Sequence, residues 1–339
     1  MRREQTACGG RAKDTCGKGA PMRYISYALL LLIAGVVYAG LVSYRTSAEN
    51  DVDRSAVPVR VPESGRRFVE QAEAIRPLHE RKRPVKPGDW LDRFPEGGQS
   101  FGQFVQLHND KRLRDQYSVI VFQPLGEFDA TQLKIVDRTA EFLGLFFGVE
   151  VRLLPARPLD EPPTEARHVY DGNHQVLTKW INQHHLLPER SDDAIAVIGL
   201  VTCDLWPGVL NWVFGAASPA DRVAVWSLYR NGDPSASSDE YRLCLLRTLK
   251  TAVHEAGHAL GMPHCSAYEC GMNGTRSREE NDLRPLEFCP ECQAKIWWTC
   301  GADPRERCEG LMTFAEREGF VDETNFWRRL SKHLIRSTN

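Results

Sequence analysis

No charge of one sign dominates this chain. Its 43 Lys and Arg stand against 45 Asp and Glu, a formal net charge of −2 at pH 7 with a pI near 6.6. Such a balance creates no field that would gather nucleic acid, so no nucleic-acid partner is expected. The one short basic cluster, Arg81-Lys82-Arg83-Pro84-Val85-Lys86, lies in Pro-rich sequence and reads as solvated linker. A cysteine-switch propeptide is also missing, since Cys8 and Cys16 precede the apolar segment of the N-terminal region. No acidic pocket for a free peptide N-terminus can be identified. What the chain has in quantity is apolar residues, 42% hydrophobic with 9% aromatic, enough for a sizeable core.

Tyr24 to Tyr44 form the long uncharged run. It is long enough to cross a bilayer and reads as a transmembrane anchor, with a cleaved signal segment as the competing reading. Lys and Arg are more frequent before it than after it, which favours a cytoplasmic N-terminus. The expected placement is therefore membrane-anchored through residues 24–44 with the catalytic domain extracytoplasmic, or secreted after cleavage. Residues 1–23 form a basic tail, and Met22-Arg23 offers an alternative start. Residues 45–88 read as a polar, Pro-rich linker in which Phe68, Val69, Ala72 and Ile75 suggest a short helix.

The folded body is expected over residues 89–339. Strands are read at Tyr117–Phe122, Val149–Leu154, Ala194–Thr202 and Val223–Tyr229. Helices are read at Thr131–Phe147, at His174–His184 and from a Ser237-Ser238-Asp239-Glu240 cap to Leu260. Strand, helix, strand points to an α/β layer.

The last of these helices carries the chemistry. His254-Glu255-Ala256-Gly257-His258 places two imidazoles at i and i+4 on one helix face with a carboxylate beside them. Gly261 can cap the helix in a left-handed turn and return His264 to the same metal ion. Three imidazoles leave one position open, the mark of a catalytic zinc site. With 10 His and 26 Gly in the chain, the five-residue motif alone arises in about one shuffled chain in fifty, and the motif extended to Gly261 and His264 in about one in twenty thousand. The extended motif is therefore specific.

Cys265, Cys270, Cys289 and Cys292 follow as two closely spaced pairs suited to a tetrahedral four-thiolate zinc, with two disulfides as the competing reading. Cys300 and Cys308 are left undetermined. Cys203 and Cys244 read as buried thiols. Met272 can pack beneath the metal site, or simply in the core.

The run HExxHxxGxxHC, followed by CxM at Cys270–Met272 and CxxC at Cys289–Cys292, resembles the archaemetzincins, a branch of the metzincin-type zinc peptidases. Asp204–Pro207, the NWVFGAA run from Asn211 and the RPLEFCPEC run from Arg284 share the resemblance. It implies a zincin-like α/β (α+β) fold with a mixed, mostly parallel twisted sheet. An antiparallel edge strand around Asn211 to Gly215 would receive the peptide backbone, with Asn211, Phe214 and Gly215 as substrate-binding residues. A smaller, mainly helical C-terminal part would carry the four-cysteine site. Two zinc ions are implied: one catalytic on His254, His258 and His264 with Glu255 as general base, one structural on the four cysteines. Gly261 and Met272 are supporting residues, and aminopeptidase-like action on peptide or protein substrates by a monomeric catalytic domain is implied. The rival reading is a catalytically silent, membrane-tethered zinc-binding module that binds a protein partner.

Overall fold

The computed structural model describes residues 61–109 and 111–334. The basic tail, the apolar segment 24–44 and residues 45–60 of the expected linker lie outside the described residues. Among the described residues no helix is long and apolar enough to cross a membrane. That finding corrects the membrane-anchored, extracytoplasmic placement. The longest helix in the described residues, Ser238–Ala259, has 22 residues but carries Asp239, Glu240, Arg242, Arg247, Lys250 and Glu255. Such a helix belongs to a folded core and not to lipid.

In chain order the strands are β1 (Val119–Leu125), β2 (Glu150–Leu153), β3 (Arg167–Tyr170), β4 (Asn173–Leu177), β5 (Ala194–Val201), β6 (Asp204–Trp206), β7 (Gly215–Ser218) and β8 (Val223–Ser227). The α-helices are α1 (Glu63–Ile75), α2 (Trp90–Arg93), α3 (Phe101–Leu107), α4 (Ala130–Phe147), α5 (Thr178–Ile181), α6 (Ser238–Ala259), α7 (Arg278–Leu283), α8 (Pro290–Cys300), α9 (Pro304–Glu318) and α10 (Val321–His333). The main sheet has the order β2-β1-β5-β8-β7. Its first four strands are mutually parallel, and β7 closes one edge antiparallel to β8. The mixed, mostly parallel sheet with an antiparallel edge strand is thus present.

Alternation along the strands divides the core in two. Ile120, Phe122, Ile198, Leu200 and Trp226 face the helices α4 and α6, while Val119, Val121, Val197, Val201 and Val225 face the opposite layer. A period of two places successive side chains on opposite faces. Because both faces are covered, β1 and β5 are buried at every position, and they read in sequence as unbroken apolar runs.

Several expectations shift. The helix expected at His174–His184 is replaced by β4, the short α5 and a wider-wound turn over Asn182–Leu186. β4 joins β3 and β6 in a second, three-stranded sheet that the sequence does not announce. Its strands hold three to five residues each, too short for periodicity to declare them. The edge strand starts at Gly215, so Asn211–Phe214 form the approach to it.

The linker expectation also fails from residue 63 onward. Phe68, Ala72 and Ile75 recur at helical spacing, and α1 buries all three in the main core. The basic cluster is docked as well. Arg81 stacks over the Tyr268 ring at 4.3 Å, and Lys82 Nζ donates to Glu269 at 3.0 Å and Asn273 Oδ1 at 3.3 Å.

The helical C-terminal part is locked by one buried ion pair. Arg307 gives two guanidinium bonds to Glu287 at 2.8 and 2.9 Å and a third to the Phe146 carbonyl at 2.7 Å. The Trp327 indole N–H donates to the same carboxylate at 2.7 Å. Burial works to raise the Glu287 carboxyl, but Arg307 and the donors around it hold it below the usual range. Arg307→Ala strands that charge in the core and should cost about 3–5 kcal/mol, read as a fall in the denaturant midpoint. A carboxyl with a depressed folded pKa stabilises the fold in full above the unfolded value and loses that contribution as pH falls through the folded one. Wild type should therefore lose stability progressively below about pH 4.5, more steeply than Glu287→Gln.

Candidate metal centre and cleft

α6 is capped by Ser237, whose hydroxyl accepts from the Glu240 N–H at 3.1 Å. Cys244, Leu245, Leu249 and Val253 pack it against the sheet. Each such apolar side chain contributes about 1.5–3 kcal/mol on burial. The helix is thereby fixed up to its last two turns, where His254 and His258 project from one face with ring centroids 4.6 Å apart.

Gly261 ends it, with φ of +86°. The Gly261 N–H bonds the His258 carbonyl at 2.9 Å and the Met262 N–H bonds the Gly257 carbonyl at 3.0 Å, a Schellman turn. A Cβ at Gly261 would sit 2.9 Å from His108 Nε2, so both conformation and space demand glycine. The turn brings His264 back, its ring 4.8 Å from His258 and 5.3 Å from His254. One ligand atom from each of the three imidazoles falls within 4.8 Å of the others.

The hydrogen bonds settle which ring nitrogens face inward. His254 Nδ1 bonds the Gly271 carbonyl at 2.9 Å, and His258 Nδ1 bonds the Met262 carbonyl at 2.7 Å. Carbonyl oxygens only accept, so both Nδ1 atoms donate and both Nε2 atoms carry bare lone pairs. Those two Nε2 atoms face each other at 3.1 Å. Two lone pairs at that distance repel unless a cation lies between them, and tetrahedral zinc at about 2.0–2.1 Å from each nitrogen sets a separation of about 3.3 Å. The donor set fits zinc. Burial holds His254 well below its ordinary value and His258 down to about 3, which keeps both neutral, the form that can bind a cation.

Glu255 is buried beside them. Its carboxyl group occupies space left by the missing side chain of Gly215, where a Cβ would come within 2.7 Å of Glu255 Oε1. Burial raises the carboxyl to about 8, against the opposing pull of the Arg284 guanidinium. Arg284 is itself buried, donating to the Asn273 carbonyl at 3.1 Å and the Lys250 carbonyl at 3.3 Å.

The four cysteine sulfurs also lie within 4.8 Å of one another, and all are free thiols. Disulfides are thus not formed there, nor at Cys300 and Cys308, which are both buried. Cys265 Sγ and Cys289 Sγ are 3.7 Å apart, close to the roughly 3.8 Å edge of a zinc–thiolate tetrahedron with bonds of about 2.3 Å. Hydrogen bonds from its three sulfur neighbours hold Cys265 well below the ordinary thiol value, while burial holds Cys270 and Cys289 well above it. Four sulfurs this close cannot all ionise without a cation, and zinc fits this cage too.

One loop ties the clusters together. The Asn273 side-chain amide donates to the Cys265 carbonyl at 2.6 Å and the Tyr268 carbonyl at 2.9 Å, and the Cys265 N–H bonds the Met272 carbonyl at 2.9 Å. Met272 is fully buried and presses on Gly257, where a Cβ would meet its sulfur at 2.5 Å. It therefore packs against the helix at Gly257, between His254 and His258 in the chain.

A cleft of about 510 Å³ opens over the three histidines and Glu255. β7, the segment before it and Arg276 supply much of its lining, with Trp90 at one side. Asn211 is exposed on this lining. Phe214 is buried under the Arg278 guanidinium at 4.3 Å, so its first role is packing. Of the tryptophans, Trp226 is core, Trp212 lines the cleft and Trp206 stacks on His168.

Sequence reasoning missed three residues. Glu96 accepts from His264 Nδ1 at 2.8 Å, Trp90 sits edge-on to the His264 ring at 5.0 Å, and Arg284 lies near Glu255. Nothing in the spacing of Trp90 or Glu96 signals the metal site, because they reach it across more than 160 positions of chain.

Residues 116–297 match the sequence model of peptidase family M54. Archaemetzincin-2 of Rattus norvegicus is 29% identical over 301 residues, which cover 77% of this chain and 82% of that relative. Archaemetzincin of Pyrococcus furiosus is 30% identical over 189 residues, covering 52% of this chain and 92% of the relative. Among solved structures, archaemetzincin from Archaeoglobus fulgidus complexed with malonate is 30% identical and superposes with a TM-score of 0.42, covering 52% of this chain and 99% of its own.

The Gly215–Glu255 contact is open to test. Gly215→Ala should displace the carboxyl and lower peptidase turnover at least about tenfold, while zinc content measured by atomic emission stays at the wild-type value.

Proposed function

This chain belongs to peptidase family M54 and is a zinc metallopeptidase, and from that premise we propose that His254, His258 and His264 hold the catalytic zinc while Glu255 acts as general base. The observation that carries this reading is the convergence of the imidazoles on one point at the floor of a cleft, with a buried carboxyl beside them. Bound there, zinc supplies a Lewis acid that acidifies water and polarises a carbonyl. The protein's own part is acid–base work and positioning. Glu255 takes a proton from water at its carboxylate and returns it to the departing amine. Burial raises its proton affinity, and a dication held by the imidazoles would offset that by favouring the carboxylate, the form a base needs. Backbone groups of the terminal strand β7 offer an extended peptide a partner to pair with. Cys265, Cys270, Cys289 and Cys292 hold a second, structural zinc in this reading.

Aminopeptidase-like action, supported by resemblance, needs a carboxylate for the substrate's α-ammonium. Glu255 is the only acidic residue lining the cleft among the described residues, and Arg276 and Arg284 line it as well. That lining favours a second reading, cleavage within peptides. A peptide library with free and acetylated N-termini separates them: aminopeptidase action requires the free amine, and cleavage within the chain does not.

Glu255→Gln keeps the shape and removes the base. It should retain both metals and lose at least about a hundredfold in turnover on the same library. Equal cleavage by both proteins would sink the assignment of Glu255 and favour a silent zinc-binding module. Metal analysis should give two zincs per chain, falling to one in the His254→Ala/His258→Ala double variant.

A further inference from the structure

His264 differs from the other two histidines in what holds it. His254 and His258 donate their Nδ1 protons to backbone carbonyls within the motif region, at Gly271 and Met262. His264 Nδ1 instead meets a carboxylate, with Glu96 Oε2 at 2.8 Å and Oε1 at 3.1 Å. Glu96 precedes the stretch that matches the family's sequence model, which begins at residue 116, and lies within the longer match to the Rattus norvegicus relative, which covers 77% of this chain.

Glu96 is held in place with care. Its Oε1 accepts from the Trp90 indole N–H at 3.1 Å, so both oxygens are engaged. Trp90 in turn packs on Gly274, where a Cβ would fall 2.5 Å from the indole ring, and its backbone N–H donates to the Glu280 carboxylate at 3.0 Å. On the other side of Glu96, Gly98 lies so close to Ser266 that a Cβ would meet Ser266 Oγ at 2.7 Å, and the Phe101 N–H donates to Glu291 at 2.8 Å. Upstream, the Lys82 N–H bonds the Ala267 carbonyl at 3.2 Å and the Arg83 N–H bonds Glu269 at 2.9 Å. Residues 82–101 therefore run along the loop that bears His264 and are pinned to it on both sides of Glu96.

We propose that Glu96 is a positioning residue for the third metal ligand, and that the segment carrying Glu96 and Trp90 is an integral part of the metal centre. A carboxylate on Nδ1 fixes the tautomer that leaves Nε2 bare, sets the plane of the ring and makes the imidazole a stronger donor to a cation. His264 needs this more than its partners do. It sits beyond the helix, on a loop, where no i to i+4 geometry aims its ring. The Trp90 N–H keeps the carboxylate turned towards the imidazole.

This inference rests on His264 being a ligand of the histidine zinc, and its test reads metal affinity, not turnover. Zinc affinity of the full chain is measured by chelator competition, and cobalt substitution separates the two sites, since only the cysteine site gives thiolate-to-cobalt charge transfer. Glu96→Ala should weaken the histidine site about 10- to 100-fold and leave the cysteine site unchanged. Glu96→Gln, which still accepts through its amide oxygen, should recover part of the loss. Trp90→Phe, which keeps the ring and removes the N–H, should weaken the site several-fold. Unchanged affinity in Glu96→Ala would overturn the proposal, and so would parallel loss of both metals, which would make Glu96 a residue of the fold alone. A wild type that binds metal at its cysteines only would instead overturn the assignment of the histidine ligands.

Discussion

Three imidazoles must present bare nitrogens to one point, and they repel one another there unless a cation occupies it. Everything around the centre of this protein serves that constraint. Each ring is held from behind by a hydrogen bond to Nδ1, and the three acceptors come from different parts of the chain: the Gly271 carbonyl, the Met262 carbonyl and the Glu96 carboxylate. The Met262 carbonyl is delivered by the Schellman turn at Gly261. The Gly271 carbonyl is delivered by the cysteine loop, whose Gly271 N–H bonds the Glu287 carbonyl at 2.9 Å.

That last bond joins the metal centre to the helical C-terminal part. Glu287 is the partner of Arg307 and Trp327, so the ion pair that locks the C-terminal helices also stations the backbone that orients His254. Two of the four cysteines, Cys265 and Cys270, lie on the same loop, and Cys289 and Cys292 come from the start of α8. His264 and Cys265 are adjacent, and Asn273 binds the loop's carbonyls across its neck. The two candidate zinc sites are therefore joined through the backbone and hydrogen bonds of this loop.

The cleft shows how a small residue serves chemistry. Gly215 opens the terminal strand of the sheet at the point where Glu255 needs room, so the carboxyl group can lie against the strand that a peptide would pair with. Gly257 does the same on the other side of the helix for Met272. Both are positions where a methyl group would push a functional side chain, and both are defined by what lies opposite them in space.

The local part of this centre was legible in the sequence because its causes are local. The i, i+4 spacing of His254 and His258, the left-handed turn at Gly261 and the paired cysteines follow from helix geometry, glycine's freedom and the reach of short loops. The buried strands β1 and β5 were readable for the same reason, as apolar runs covered on both faces. Other features depended on which distant surfaces meet. The docking of α1 and the basic cluster, the three-stranded sheet of short strands, the room for Glu255 at Gly215 and the reach of Glu96 to His264 are of this kind. A carboxylate 168 positions away from its histidine leaves no period or spacing to read. Sequence determined which side chains are the candidate metal donors, and the tertiary structure alone decided which residues aim them, because aiming is done by packing and hydrogen bonds between segments that are remote along the chain.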